Sequence, residues 1–264
     1  MSVSVHILDT SKSSPSSGRA AVSENRLLAA LPAEDLKRLQ PHLEPFSLVA
    51  GRVVMEEGEP VEWVIFPTSG LISLLVRLSD GRAVEASAIG REGMAGLPAF
   101  LGGTLSPLQG ISQVKGGAFR LSAARLRRET LPGSALRALV ERYTNGLLAA
   151  AAQSLACIRF HRVEERCARW LLVTHDSVRE NTFELTHEFL ANMLGVRRAG
   201  VSEAVGALSD RGVIRSVRGH FTIANRAGLE AASCECYRVV RQEMDAVVGL
   251  GGGDVGSLLR QRGL

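Results

Sequence analysis

Residues 190–208 read LANMLGVRRAGVSEAVGAL. An apolar helical run stops at Gly195, two arginines follow, and a second helical run begins. Upstream, Leu185-Thr186-His187-Glu188 has the form of a helix start. Thr186 can accept from an early backbone N–H, and Glu188 suits the positive end of the helix dipole. Phe189, Leu190 and Leu194 continue that first helix. Gly195 ends it, because glycine enters the left-handed region at little cost. Val196 is a one-residue apolar link. The second helix is predicted from about Arg198 to Ser209, with Val201, Val205 and Leu208 on its buried face. Two short helices joined by a tight glycine turn make a helix-turn-helix.

The next stretch, VIRSVRGHFTIAN at 213–225, supplies β-formers at Val213, Ile214, Val217, Phe221 and Ile223, with Arg218-Gly219-His220 as a turn. It is predicted as a two-stranded wing. Residues 195–220 hold five arginines against Glu203 and Asp210, a local excess of three. A plain αα-hairpin in a core would leave those arginines without work, whereas a duplex would use them. A recognition helix presents its N-terminal residues to base edges in the major groove. Arg198 sits there and can donate both arms to a guanine. Glu203, one turn on, could accept from a cytosine amino group or pair within its own chain. Arg197 and Ser202 suit phosphates, and Arg215, Arg218 and His220 in the wing would add backbone contacts.

Working outward, residues 134–157 (SALRALVERYTNGLLAAAAQSLAC) form one long helical pattern. Leu136, Val140, Tyr143, Leu147, Ala151 and Leu155 recur at steps of three and four. That stripe either lies on the chain's own β domain or forms a seam between two chains, and the small run Ala149–Ala152 favours the seam. A further helix is expected over 161–178. Between 46 and 121 the texture is different: FSLV, RVVM, WVIF, LISLLVRL, RAVEASAI, GISQV and AFRLS alternate with Gly, Pro and Asp-Gly punctuation. Short strands at this spacing predict a barrel or jelly roll. Residues 24–43 read as one or two short amphipathic helices.

The chain has 264 residues, a net charge of +4 and a pI near 9.2, with 45% hydrophobic residues. That length favours two domains, and the basic excess permits an anionic partner. No stretch of about 18 apolar residues is present, so no membrane partner is expected. The N-terminus lacks the apolar core of a secretory signal. Four cysteines occur, Cys157, Cys167, Cys234 and Cys236, with no CxxC pair. They are expected to be thiols in a reducing, cytoplasmic compartment, with no metal site. The Cys234-Glu235-Cys236 spacing invites a redox switch, but on a helix side chains two apart diverge. An enzyme on a metal-binding β-roll is not expected, since residues 46–121 contain neither histidine nor cysteine.

In this order of elements, and above all in LTHEFLANMLGVRRAGVSEAVGALSDRGVI at 185–214, the chain resembles the CRP/FNR family of bacterial transcription regulators. The resemblance implies an α+β protein: a cyclic-nucleotide-binding-like β-roll, a long dimerisation helix and a C-terminal winged helix-turn-helix. The expected boundaries are a disordered tail at 1–23, a sensor domain at 24–133, a dimer helix at 134–158, a DNA-binding domain at 159–248 and a flexible tail at 249–264. It implies a homodimer on a pseudo-palindromic operator, with RNA polymerase as a partner if the protein activates. The family commonly has an acidic residue after the arginine and another arginine a turn later, where this chain has Ala199 and Glu203. The operator is therefore expected to differ from the family's best-known one.

The sensor half departs further. Where cyclic-nucleotide binders have a glutamate for the ribose and Arg-Ser for the phosphate, this chain has Gly96 and Ser106-Pro107. A buried phosphate would lack its arginine, so cyclic AMP in the usual mode is not expected. Nor is the N-terminal iron–sulfur cluster, since the first cysteine is Cys157, nor a haem, since His42 is the only histidine between 20 and 160. The loop GLPAFLGGTLSPLQG, with Gly96 and Ser106, is left as either a small-molecule effector loop or a rigid corner. The rival to a DNA-binding regulator is a small-molecule sensor whose winged helix contacts protein.

Overall fold

The computed structural model describes residues 22–178 and 180–249. The expected tails at 1–23 and 249–264 therefore fall, except for Val22, Ser23 and Gly249, outside the described residues. Two short helices open the chain, α1 (Arg26–Ala29) and α2 (Ala33–Leu39). Asn25 caps α1 by accepting from the Leu28 N–H, and its amide donates to the carbonyls of Pro67 and Gly93 at 2.8 and 2.9 Å. One fully buried side chain thus starts the helix and fastens it to the strands behind.

Seven strands follow: β1 (Glu44–Leu48), β2 (Val53–Met55), β3 (Trp63–Pro67), β4 (Leu71–Arg77), β5 (Ala83–Ile89), β6 (Gln109–Val114) and β7 (Gly116–Ser122). They match the seven apolar runs of the sequence. All pairs are antiparallel, in two sheets ordered β1-β7-β3 and β2-β6-β4-β5. Helix α3 (Ala123–Glu129) is capped by Ser122 and leads to the long helix α4 (Ala135–Phe160), capped by Ser134. Helix α5 (Val163–Val178) then turns back. After it come β8 (Thr182–Glu184), α6 (His187–Leu194), α7 (Arg198–Asp210), β9 (Ile214–Val217), β10 (His220–Ile223), α8 (Arg226–Ala232) and α9 (Cys236–Val247). The fold is α+β: an antiparallel β-roll, a long helix and a winged helix-turn-helix. Among the described residues no helix is long and apolar enough to cross a membrane.

The expected stripe on α4 is reassigned by the structure. Leu136, Val140 and Tyr143 are buried inside this chain, in one core with Leu27, Phe66, Met94 and Leu121. Burying each such side chain is worth about 1.5–3 kcal/mol. The Tyr143 hydroxyl donates to the Met94 carbonyl at 3.0 Å. These three residues are not available to a partner. Leu147 packs on the same core, and Ala151 is half-buried. Of the expected seam only Leu155 faces outward, and Leu148 joins it, at 73% and 70% exposure. Helical periodicity finds an apolar stripe but does not say what covers it. Here the barrel covers one face of α4, and α9 folds back along another, with Met244 and Val247 against Gly146.

In the loop at 96–110 both Gly96 and Ser106 are packed against backbone. Gly96 stands at φ 94° before a 3-10 turn, and a Cβ there would lie 2.7 Å from the Trp63 carbonyl oxygen. Ser106 is buried, its hydroxyl donating to the Leu108 carbonyl at 2.6 Å. Both residues are spent on the backbone.

The winged unit sits on the barrel. Its core of Trp170, Leu171, Leu190, Val201 and Phe221 continues into Leu71, Leu75 and Val114 of the sheet. At this seam the Trp170 indole donates to Glu85 at 3.3 Å, and Ser73 also donates to that carboxylate. Burial pushes the carboxyls of Glu85 and Glu92 above their ordinary range. A cleft of about 340 Å³ opens beside them, lined also by Arg26, Arg169 and Arg241.

A carboxyl raised on folding favours the protonated folded form. Its stabilising contribution is present below the ordinary value of 4.5 and is lost as pH rises through the raised one. Glu85→Gln keeps an acceptor for Ser73 and Trp170 while removing the titration. The variant's melting temperature, relative to the parent, should climb as pH rises above the ordinary carboxyl value of 4.5 in scanning calorimetry. A flat difference would mean that Glu85 does not titrate on folding.

Candidate nucleic-acid interface

Helix α6 begins where the sequence places it. The Thr186 hydroxyl accepts from the Phe189 N–H at 3.1 Å. It ends at Gly195, with φ 62° and ψ 40°, and the Gly195 and Val196 N–H groups close on the carbonyls of Asn192 and Ala191. This left-handed cap turns the chain so that α7 starts at Arg198, with Arg197 extended before it. Space matters too, since a Cβ on Gly195 would lie 3.2 Å from a methyl of Val84 on the barrel.

Helix α7 is two-faced. Val201, Ala204, Val205 and Leu208 are buried, and this set differs from the expected one only by the added Ala204. Arg197, Arg198, Ala199, Ser202 and Glu203 are exposed. The N-cap and first two turns of α7 therefore present two guanidiniums, a hydroxyl and a carboxylate to solvent.

The wing lies beside it. Strands β9 and β10 pair antiparallel, with Val217 opposite His220. Arg218 at φ 47° and Gly219 at φ 80° form the two-residue turn between them. Positive φ at both central positions matches the right-handed twist of a hairpin. Arg215, Val217, Arg218 and His220 are exposed. The wing has a third strand that the sequence reading lacked. β8 pairs with the other edge of β10, Phe183 opposite Phe221. At three residues β8 is too short to show an alternating pattern.

Three of the predicted contact residues, Arg198, Ser202 and Arg218, meet in one groove, and Arg197, Glu203, Arg215 and His220 lie outside its lining. Arg198 and Ser202 from α7 line it with Thr186 and His187 from α6 and Ser216 and Arg218 from the wing. His187 links the three elements. Its Nδ1 is 3.1 Å from the Ser202 hydroxyl, its Nε2 is 3.5 Å from the Ser216 hydroxyl, and its ring tilts against Phe221. Sequence reading took His187 only as part of a helix start. Its partners are 15 and 29 residues away, so no local pattern could flag it. One of the five arginines, still exposed, has a partner within the chain. Arg211 pairs with Glu164 on α5 at 2.6 Å.

Residues 165–232 match the Crp-like helix-turn-helix domain family. Comparison with curated proteins finds no match. Among solved structures, the chain is similar to FixK2 from Bradyrhizobium japonicum, at 20% identity and a TM-score of 0.60, over 73% of this chain and 98% of that one. It is likewise similar to TTHB099, a CRP-family transcriptional regulator of Thermus thermophilus, at 18% identity and a TM-score of 0.60, over 71% and 96%. A third, the c-di-GMP-responsive regulator CLP of Xanthomonas campestris, has 16% identity and a TM-score of 0.57 over 73% and 99%. The chain has the fold of these CRP/FNR-type structures, and its residues 165–232 match the Crp-like helix-turn-helix domain.

Gly195→Ala should destabilise the protein by about 1 kcal/mol or more through left-handed strain, with added crowding at Val84. Thr186→Ala should cost about 1 kcal/mol through loss of the cap. Denaturant midpoints of the two variants check both.

Proposed function

We propose that this chain, built on a Crp-like helix-turn-helix, is a sequence-specific DNA-binding transcription regulator that works as a homodimer. The observation that carries the reading is the two-faced α7. Its apolar side is sealed into the domain, and its N-terminal half sends Arg197, Arg198, Ser202 and Glu203 into solvent next to a basic wing tip. Such a helix fits the major groove with its N-terminus at the bases.

The roles divide by reach. Arg198 donates to the O6 and N7 of a guanine, and Glu203 takes the amino group of a cytosine. Arg197, Ser202, Arg215, Arg218 and His220 hold phosphates and set the register. A serine already bonded to His187 makes a better fixed phosphate donor than a mobile one. Two copies joined along the exposed face of α4, through Leu148, Ala152 and Leu155, would offer two such helices to half-sites about 34 Å apart. Control enters where the winged unit rests on the barrel. A small molecule in the cleft beside Glu85 and Arg169 that binds one arrangement better than another would shift the population of DNA-competent dimers. The chemistry is binding throughout, without a reaction on a substrate.

Binding to a selected operator and to random duplex, measured across a salt series, tests the reading. A steep fall of affinity with salt is expected from neutralised phosphates. Negligible duplex affinity at every salt concentration would leave the wing as a protein-contacting surface. Arg198→Ala should lose about 10–100-fold of affinity on the operator with little change on random duplex. Arg197→Ala should weaken both alike. Leu155→Glu should give monomers in analytical ultracentrifugation, and a dimer that survives it would remove α4 as the seam.

A further inference from the structure

Three of the four cysteines stand apart from every apolar core, in a cluster of their own. Cys157, Cys234 and Cys236 are buried against one another. His161 completes the group, and the four donor atoms lie within 4.8 Å of one another. The Cys157 and Cys234 sulfurs are 3.6 Å apart, and the Cys236 sulfur is 3.5 Å from His161 Nδ1. A tetrahedral zinc ion, with bonds of about 2.3 Å to sulfur and about 2.0 Å to nitrogen, sets its donors about 3.6 to 3.8 Å apart. Two of the donor pairs are at that spacing, and all four donors lie within 4.8 Å.

The surroundings are those of a ligand set. Glu235 Oε2 lies 3.1 Å from His161 Nε2. A proton held there fixes the tautomer in which Nδ1 carries the free lone pair, and Nδ1 is the atom that faces the sulfurs. The Gln153 amide donates to the Cys236 sulfur at 3.0 Å. A disulfide between Cys157 and Cys234 would use two of these groups and leave the other two converging on nothing. An iron–sulfur cluster spreads its ligands over several irons and would need a wider ring.

We propose that Cys157, His161, Cys234 and Cys236 form a tetrahedral metal site of the Cys₃His type, suited to zinc. The sequence, read as core or surface thiols with no metal site, did not show that three of them meet. Cys234 precedes α9 and is not part of it, so the divergence of helical neighbours does not apply. The two halves are 77 residues apart in sequence, and no short spacing announces them. Binding is plain coordination: the ion stays divalent, and each ligating thiol still protonated gives its proton to solvent. The clasp joins the last turn of α4, the link to α5 and the entry to α9. It does not depend on the DNA-binding reading.

Elemental analysis of the full-length protein, purified without chelator, should find one zinc per chain. Cobalt(II) in its place should give the intense visible bands of four-coordinate thiolate ligation. Cys236→Ser should lose both signals, and Cys167→Ser, whose thiol is buried in a helical core elsewhere, should keep both. Since loss of a ligand can cost the fold, Glu235→Ala supplies a gentler arm on an exposed side chain. It should lower zinc affinity about 10–100-fold in chelator competition with an unchanged circular dichroism spectrum. Unaltered affinity there removes His161 from the set and overturns the four-ligand site. So does metal-free protein with a weak six-coordinate cobalt spectrum, a Cys157–Cys234 disulfide by mass spectrometry, or the absorption of an iron–sulfur cluster.

Discussion

Helix α4 has to satisfy three surfaces at once, and the arrangement of the molecule follows from how it does so. Its first half lays Leu136, Leu139, Val140 and Tyr143 into the barrel core. A second face takes α9 back along it, with Arg142 donating to the Val247 carbonyl at 3.1 Å. The third face keeps Leu148 and Leu155 outside. Because the barrel grips the helix over its first turns, the far end at Phe160 is carried to a fixed place, and the winged unit is built from that end.

Much of this was readable in the sequence, and for a common reason. The seven strands, the two helices of the helix-turn-helix and the wing turn are each specified by residues a few positions apart. Period-two runs, an N-cap at Thr186, a left-handed glycine at Gly195 and Arg218-Gly219 are local signals. The buried face of α7 was legible because helical spacing alone defines it. What sequence could not give is pairing between distant segments. The stripe on α4 was visible, but its cover was not, since a barrel and a second chain ask for the same apolar pattern. His187 gains its place from Ser202 and Ser216, and the Cys₃His group from two ends of a domain. The loop at Gly96 and Ser106 reads as a loop by composition, and only the folded chain shows the backbone contacts that both residues make.

The seam between barrel and winged unit is unusual for its content. A purely apolar joint would have been simpler, yet the half-buried Glu85 and Glu92 stand there beside Arg26, Arg169 and Arg241. Removing carboxylates from water costs free energy, which the Trp170 and Ser73 donors to Glu85 and the Gly90 N–H donor to Glu92 offset in part.

The return of α9 along α4 has a mechanical side. The winged unit leaves α4 at His161, and α9 comes back to the same helix, ending where Asp245 pairs with Arg26 at 2.5 Å. A body hung from one flexible link can swing in any direction. A body suspended from two neighbouring points of one rod keeps essentially a single freedom, rotation about the line through them. Undocking from the barrel would then turn α7 through a defined arc, and in a dimer the two-fold axis would make the two arcs equal. The spacing of two operator half-sites would be met by one angle.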